Sequence, residues 1–197
     1  MLEKWGLEKF HSAYPLIAQQ FVDDYDLNEG LAIDIGSGYG AMGIELARIT
    51  DMDIVFVDID SDMLAQSQKH FEELPLTNKA SYINCDAIDL PFKDNIADFI
   101  VSRGSFWFWD DKPKGLNEIY RVLKTGGVAY VGVGLGRYLP KTARDRIQRE
   151  LSEHIKRAGY YRPDVDVFTE IVEGARLPDY KIISEGVNGC HWVEIRK

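Results

Sequence analysis

The chain has 197 residues, 45% hydrophobic and 28% charged, enough to bury the core of one globular domain and too few for a second of full size. Its formal net charge of −9 argues against nucleic acid as a partner. No apolar run approaches the roughly 20 residues that span a bilayer, Met1-Leu2-Glu3-Lys4-Trp5-Gly6 lacks a signal-peptide core, and Cys85 and Cys190 have neither disulfide-framework nor zinc-ligand spacing, so a soluble cytoplasmic protein without a metal is expected.

Taken in chain order, residues 1–28 read as helical, with Phe10, Tyr14, Ile17 and Phe21 spaced by four, three and four. Pro15, lacking an N–H, suits the first turn of a new helix. From Leu31 an apolar run passes through Asp34, glycines alternate at Gly36, Gly38 and Gly40, and Ala41 to Ala47 reads as a helix. Ile54 to Val57 is a second buried strand ending at Asp58, and Asp60 or Ser61 caps a helix running through Met63 and Leu64 towards Phe71. Ala80 to Asn84 and Ala97 to Val101 are the third and fourth strands. Leu116 to Leu123 is a helix stopped by Gly126-Gly127, and Val128 to Val133 is a fifth strand.

The C-terminal third changes character. Lys141 to Ala158 is a helix with the stripe Ile147, Leu151 and Ile155, and a further helix spans Val165 to Gly174. Tyr180 to Ser184 and His191 to Ile195 form two strands reversed through Asn188-Gly189. The pattern predicts an α/β fold: a doubly wound, Rossmann-like sheet of seven strands, five parallel plus a C-terminal antiparallel hairpin, with helices on both faces. One domain is expected, divided into a helical cap over 1–28, a binding core over 29–135, and helices with the closing hairpin over 136–197.

The glycine segment carries the chemistry. Glycines at a strand-to-helix turn let the backbone approach a ligand closely, and Asp34 just before them disfavours a purely anionic one. Asp58 at the end of strand two suits a cis-diol, since both carboxylate oxygens accept hydrogen bonds. Gly36-x-Gly38-x-x-Ala41, with Asp58 22 residues beyond Gly36, also satisfies the dinucleotide pattern. Against a nicotinamide oxidoreductase stand Asp34 beside a pyrophosphate and the lack of length for a substrate domain.

Further motifs resolve that choice. Asp34 to Gly40, Val57 to Leu64, Cys85 to Phe92 with Ala97 to Ser102, and Glu118 to Gly127 resemble, in order and spacing, the successive motifs of class I S-adenosylmethionine-dependent methyltransferases. The likeness is greatest to the small-molecule branch that includes ubiquinone/menaquinone-biosynthesis methyltransferases. The resemblance implies S-adenosyl-L-methionine as cofactor and S-adenosyl-L-homocysteine as product. It places the methionine part along Gly36, Ser37, Gly38 and Gly40 with its ammonium near Asp34, and the ribose hydroxyls on Asp58. Asp86 and Ala87 then read the adenine, Ile59 and Met63 give it apolar contact, and Ser102 and Arg103 complete the contacts.

The acceptor is less legible. Phe106, Trp107, Phe108 and Trp109 follow strand four at the ligand-facing end of the sheet. Trp107, Trp109 and Tyr14 are the candidate substrate-pocket residues, while the aromatics could equally cover the core. Asp110 is a candidate base or a helix cap, and His11 a candidate base or a structural histidine. Eight Lys/Arg between 137 and 162 offer attraction to an anionic substrate or a solvated helix face, and Tyr160-Tyr161 pocket lining or packing. The absence of an Asn-Pro-Pro-Tyr segment argues, by the resemblance, against an amide- or adenine-nitrogen target, and the absence of a metal-ligand cluster against a metal-dependent catechol reaction. A small-molecule acceptor is expected. The alternatives are methylation of protein or RNA, and a non-catalytic cofactor- or partner-binding protein. Sequence fixes no oligomeric state.

Overall fold

A computed structural model describes residues 12–158, 164–185 and 190–197. Phe10, His11, Tyr160-Tyr161 and the Asn188-Gly189 turn lie outside the described residues. Helix α1 (Tyr14–Tyr25) has Pro15 in its first turn, as expected of a residue with no N–H to bond. There follow β1 (Leu31–Ile35), α2 (Ala41–Ile49), β2 (Asp53–Asp58), α3 (Ser61–Glu72), β3 (Ala80–Asn84) and β4 (Ala97–Arg103). A 3-10 turn (Phe106–Phe108) leads to α4 (Lys112–Val122), β5 (Leu123–Gly132), α5 (Lys141–Ala158), α6 (Val165–Gly174), β6 (Tyr180–Ser184) and β7 (His191–Arg196).

The seven strands form one sheet in the order β3-β2-β1-β4-β5-β7-β6. β1 to β5 run parallel, β7 pairs antiparallel with β5, and β6 pairs antiparallel with β7. Parallel strands buried on both faces read as continuous apolar runs, which is why β1, β2 and β4 stand out in sequence. Side chains alternate across the sheet. Ile33, Ile35, Ile100 and Val193 pack against Leu116, Ile119 and Phe168 of α4 and α6. Ala32, Phe56, Phe99 and Trp192 pack against Ile17 and Phe21 of α1 and Leu46 of α2.

Two local expectations change. Helix α4 ends at Val122, so Gly126-Gly127 does not stop it. The chain passes directly into β5, with an irregularity between Ala97↔Leu123 and Phe99↔Val128. The two glycines sit there and bond the chain's end: Gly126 N–H donates to Lys197 O at 2.6 Å and Lys197 N–H to Gly127 O at 3.2 Å. The cap of α4 is Asp111, which accepts from Lys114 N at 2.9 Å, and not Asp110, which is exposed. Asp60 caps α3, accepting from Asp62 N and Met63 N.

Candidate active site

The carboxyl ends of β1, β2, β3 and β4 meet at the glycine turn. Gly36 has φ 65°, and a Cβ there would lie 2.2 Å from Ser105 Cβ, so the residue must be glycine for two separate reasons. Gly38 has φ 52° with nothing within 4 Å of where its Cβ would be, so the turn is open on that side. Ser37 N–H donates to Val57 O at 2.9 Å and Gly40 N–H to Ser37 O at 2.8 Å, tying the turn to the end of β2 and to itself. The Ser37 hydroxyl is buried and has no hydrogen-bond partner among the described residues.

Two carboxylates fasten this segment. Asp58 Oδ2 accepts from Gly38 N at 2.7 Å and its Oδ1 from Asp60 N at 3.0 Å. Each carboxylate oxygen has two lone pairs, so both keep acceptor capacity. Asp34 is only 2% exposed, and its Oδ2 accepts from Gly43 N in the first turn of α2 at 2.9 Å. Burial pushes its pKa up to about 7; the Gly43 hydrogen bond opposes that rise and the Asp58 charge adds to it.

Ile59, next to Asp58, is 70% exposed, and Met63 is half-buried in the first turn of α3. Asn84, which sequence reasoning passed over, holds this corner, its amide donating to Asp58 O at 3.0 Å and Ile59 O at 2.9 Å. An Asn closing a strand is the only signal the sequence offered for it. Asp86 turns on itself, its Oδ1 accepting from Ile88 N at 3.2 Å, beside the buried Ala87. Cys85 N–H reaches Asp58 O at 3.2 Å, so the Asp58 and Asp86 segments are neighbours.

At the end of β4, Ser102 is fully buried and its hydroxyl lies 2.6 Å from that of Ser105. Ser105 Oγ donates to Ile35 O at 3.2 Å and accepts from Trp109 Nε1 at 3.2 Å. Trp109 therefore does not stand as a pocket wall. It is 6% exposed, packs on Phe106 at 5.3 Å, and leaves no room for a side chain at Gly115. Trp107 is half-buried against Phe106 and Phe168, its Nε1 buried with no hydrogen-bond partner among the described residues. The ring that faces solvent is Phe108, 77% exposed. Arg103 and Tyr14, assigned separately from sequence to cofactor and substrate, meet each other. Arg103 Nη1 donates to Tyr14 OH at 2.9 Å, and the guanidinium lies 4.5 Å from the centre of the Tyr14 ring.

A cleft of about 580 Å³ is lined by Gln20, Tyr130, Ile183 and Glu194 among others, with Arg137 and Arg144 of the basic segment at its wall, and no residue of the glycine turn borders it. In the basic segment, Arg137 pairs with Asp24, Lys141 with Asp145 and Arg157 with Glu153. Among the described residues no helix is long and apolar enough to cross a membrane.

Residues 33–131 match the family model described as "Methyltransferase domain". A crystal structure from Methanococcus maripaludis, provisionally assigned as an S-adenosyl-L-methionine-dependent methyltransferase, is 32% identical with a TM-score of 0.84, covering 100% of this chain and 90% of that one. The chloroplastic 2-methyl-6-phytyl-1,4-hydroquinone methyltransferase of Spinacia oleracea is 36% identical over 53% of this chain and 30% of its own length. A ubiquinone/menaquinone biosynthesis C-methyltransferase of Psychromonas ingrahamii is 32% identical over 48% of this chain and 39% of its own. The chain thus spans about a third of the length of the curated relatives it matches. With motif, fold and matched residues in agreement, the chain belongs to the methyltransferase-domain family of S-adenosylmethionine-dependent methyltransferases.

Proposed function

We propose that this protein transfers a methyl group to a small, flat, largely apolar acceptor by in-line displacement, leaving S-adenosyl-L-homocysteine. The observation that carries the reading is the glycine turn with Asp58 held against it, both of its oxygens fixed by backbone N–H groups and both retaining lone pairs. These residues fit the cofactor. Gly38 leaves space for close approach, the unpartnered Ser37 hydroxyl supplies a further polar group, and Asp58 is oriented for a cis-diol. S-adenosylmethionine, when bound, supplies an activated methyl on a sulfonium.

The remaining work belongs to the chain. Gly36, Ser37, Gly38 and Gly40 form the bed for the methionine part, with the Asp34 charge beneath it. Ile59 and Met63 offer apolar cover to the adenine, Asp86 and Ala87 its edge, and Ser102 and Arg103 the wall at the end of β4. Tyr14 and Trp107 are the pocket residues proposed for the acceptor, and alignment of the acceptor with exclusion of water is the principal catalytic device. A base is required only where the nucleophile carries a proton at the working pH, and no side chain is assigned to it. The hydroquinone and quinone-pathway relatives support an aromatic acceptor. Cys85 and Cys190, far apart in sequence and without disulfide-framework spacing, suit a cytoplasmic setting.

Calorimetry with S-adenosylmethionine and S-adenosylhomocysteine tests the cofactor, and failure of both to bind overturns the proposal. Asp58→Ala should weaken binding by about 1–3 kcal/mol, because ribose hydroxyls lose their acceptor. Labelled-methyl transfer to hydroquinones, proteins and RNA tests the acceptor class. Label appearing only in macromolecules replaces the small-molecule acceptor.

A further inference from the structure

We propose that Glu185, on the opposite edge of the sheet, is a positioning residue for this site, acting through one peptide group on Arg103 and Tyr14. The inference rests on the reading that the glycine turn holds S-adenosylmethionine. Glu185 follows β6, three strands from β4 in the sheet order. Its carboxylate accepts from Leu135 N at 2.8 Å, Gly136 N at 2.9 Å and Trp192 Nε1 at 2.9 Å. Three N–H donors on one carboxylate make a charge-assisted anchor for the chain leaving β5.

The Leu135 N–H belongs to the same peptide group as the Gly134 carbonyl, and that carbonyl accepts from Arg103 Nε at 3.2 Å and Nη2 at 2.9 Å. A single peptide group is therefore clamped between a carboxylate on its N–H side and a guanidinium on its C=O side. Its dipole is aligned by both, and each end strengthens the other. No side chain fits at the clamp: a Cβ on Gly134 would lie 2.1 Å from Trp192 Nε1 and 2.4 Å from Glu185 Oε1. From Arg103 the chain of bonds continues to Tyr14 OH at the start of α1. Arg103 stands two residues before Ser105, which packs on Gly36 and bonds Ile35 O. Glu185 thus sets where Arg103 lies, and Arg103 links α1 to the wall of the glycine turn.

The test is a double-mutant cycle read by titration with S-adenosylhomocysteine. Glu185→Gln keeps the shape and removes the charge, so it should weaken binding roughly three- to tenfold. Tyr14→Phe should weaken it in the wild-type background and add little once Glu185 is already Gln, because both act on the same arginine. A purely structural Glu185 would lower the melting temperature while leaving low-temperature affinity intact. That result, or losses that simply multiply in the double variant, overturns the proposal. If Glu185→Gln fails to fold, the wild type still decides the matter: S-adenosylhomocysteine should shift the Trp192 indole N–H resonance, and an unmoved resonance at saturation refutes the coupling. A wild-type protein that binds no S-adenosylhomocysteine removes the underlying reading, and this one with it.

Discussion

Replacing Asp34 by Asn should stabilise the cofactor-free protein at pH 8 far more than at pH 5. The carboxyl is 2% exposed, accepts one hydrogen bond, from Gly43 N, and has no cation at ion-pair distance among the described residues. Burial raises its pKa from the ordinary 3.8 to about 7, against the pull of the Gly43 bond and with a contribution from the Asp58 charge. Between those two values the folded protein keeps a proton that the unfolded chain has released. Stability therefore falls as pH rises from about 4 to about 7 and levels off above. The full rise corresponds to about 4 kcal/mol, of which about 2–3 kcal/mol accrues between pH 5 and pH 8. Asn retains an acceptor for Gly43 N–H and has no charge to bury, so the Asn-over-Asp advantage should widen by that amount across the interval. Urea titrations of both proteins without cofactor, at pH 5 and pH 8, measure it. An advantage that stays constant between the two pH values, or shrinks at pH 8, refutes the reasoning.

The other predictions concern the turn and its supports. Gly36→Ala combines a left-handed φ of 65° with a Cβ 2.2 Å from Ser105 Cβ, and should cost about 3 kcal/mol in denaturant titrations. Arg121 donates to Leu90 O, Phe92 O, Glu118 and Asp94, so Arg121→Met should cost about 2–3 kcal/mol by leaving these acceptors unpaired. Because Arg121 holds the Glu118 carboxyl below the usual carboxylate range, wild-type stability should contain a part that is full above that range and lost as pH falls below it. Thermal melts at pH 7 and pH 3 should show that part missing from the Met variant.

What the sequence disclosed, and what it hid, follows the range of the interactions concerned. β3, α6 and β6 emerge at their observed bounds because strand alternation, capping residues and glycines act over a few positions. Gly126-Gly127 misled because a glycine pair reads as a helix stop, whereas here it accommodates an irregularity set by Lys197 and by β4, both distant in sequence. Trp109 misled for a related reason. An aromatic run after a strand does not reveal which ring turns inward, and the choice was made by Gly115, which leaves the indole space, and by Ser105, which takes its N–H. Asp34 was legible as an acid before the turn, but not its burial or its bond to Gly43. Glu185 carries no local signal at all, since its partners lie some 50 residues earlier and on the neighbouring strand.

Electrostatics joins these pieces. Asp34 and Asp58 both accept from the 38–43 backbone, so two carboxylates fasten one short segment, and among the described residues neither has a cation at ion-pair distance. A pyrophosphate seated on that turn would bring like charge towards a carboxyl that burial already drives to hold its proton. A ligand bearing ammonium and sulfonium groups acts in the opposite sense: it favours the ionised form and draws the Asp34 pKa down. With the cofactor seated as proposed, the burial cost of the Asp34 charge above pH 7 is offset by a bound cation and not by a pyrophosphate, which would make Asp34 a source of selectivity between two cofactor classes that share the same glycine pattern. The stability that Asn should restore at pH 8 is, on this reasoning, the selectivity the variant gives up.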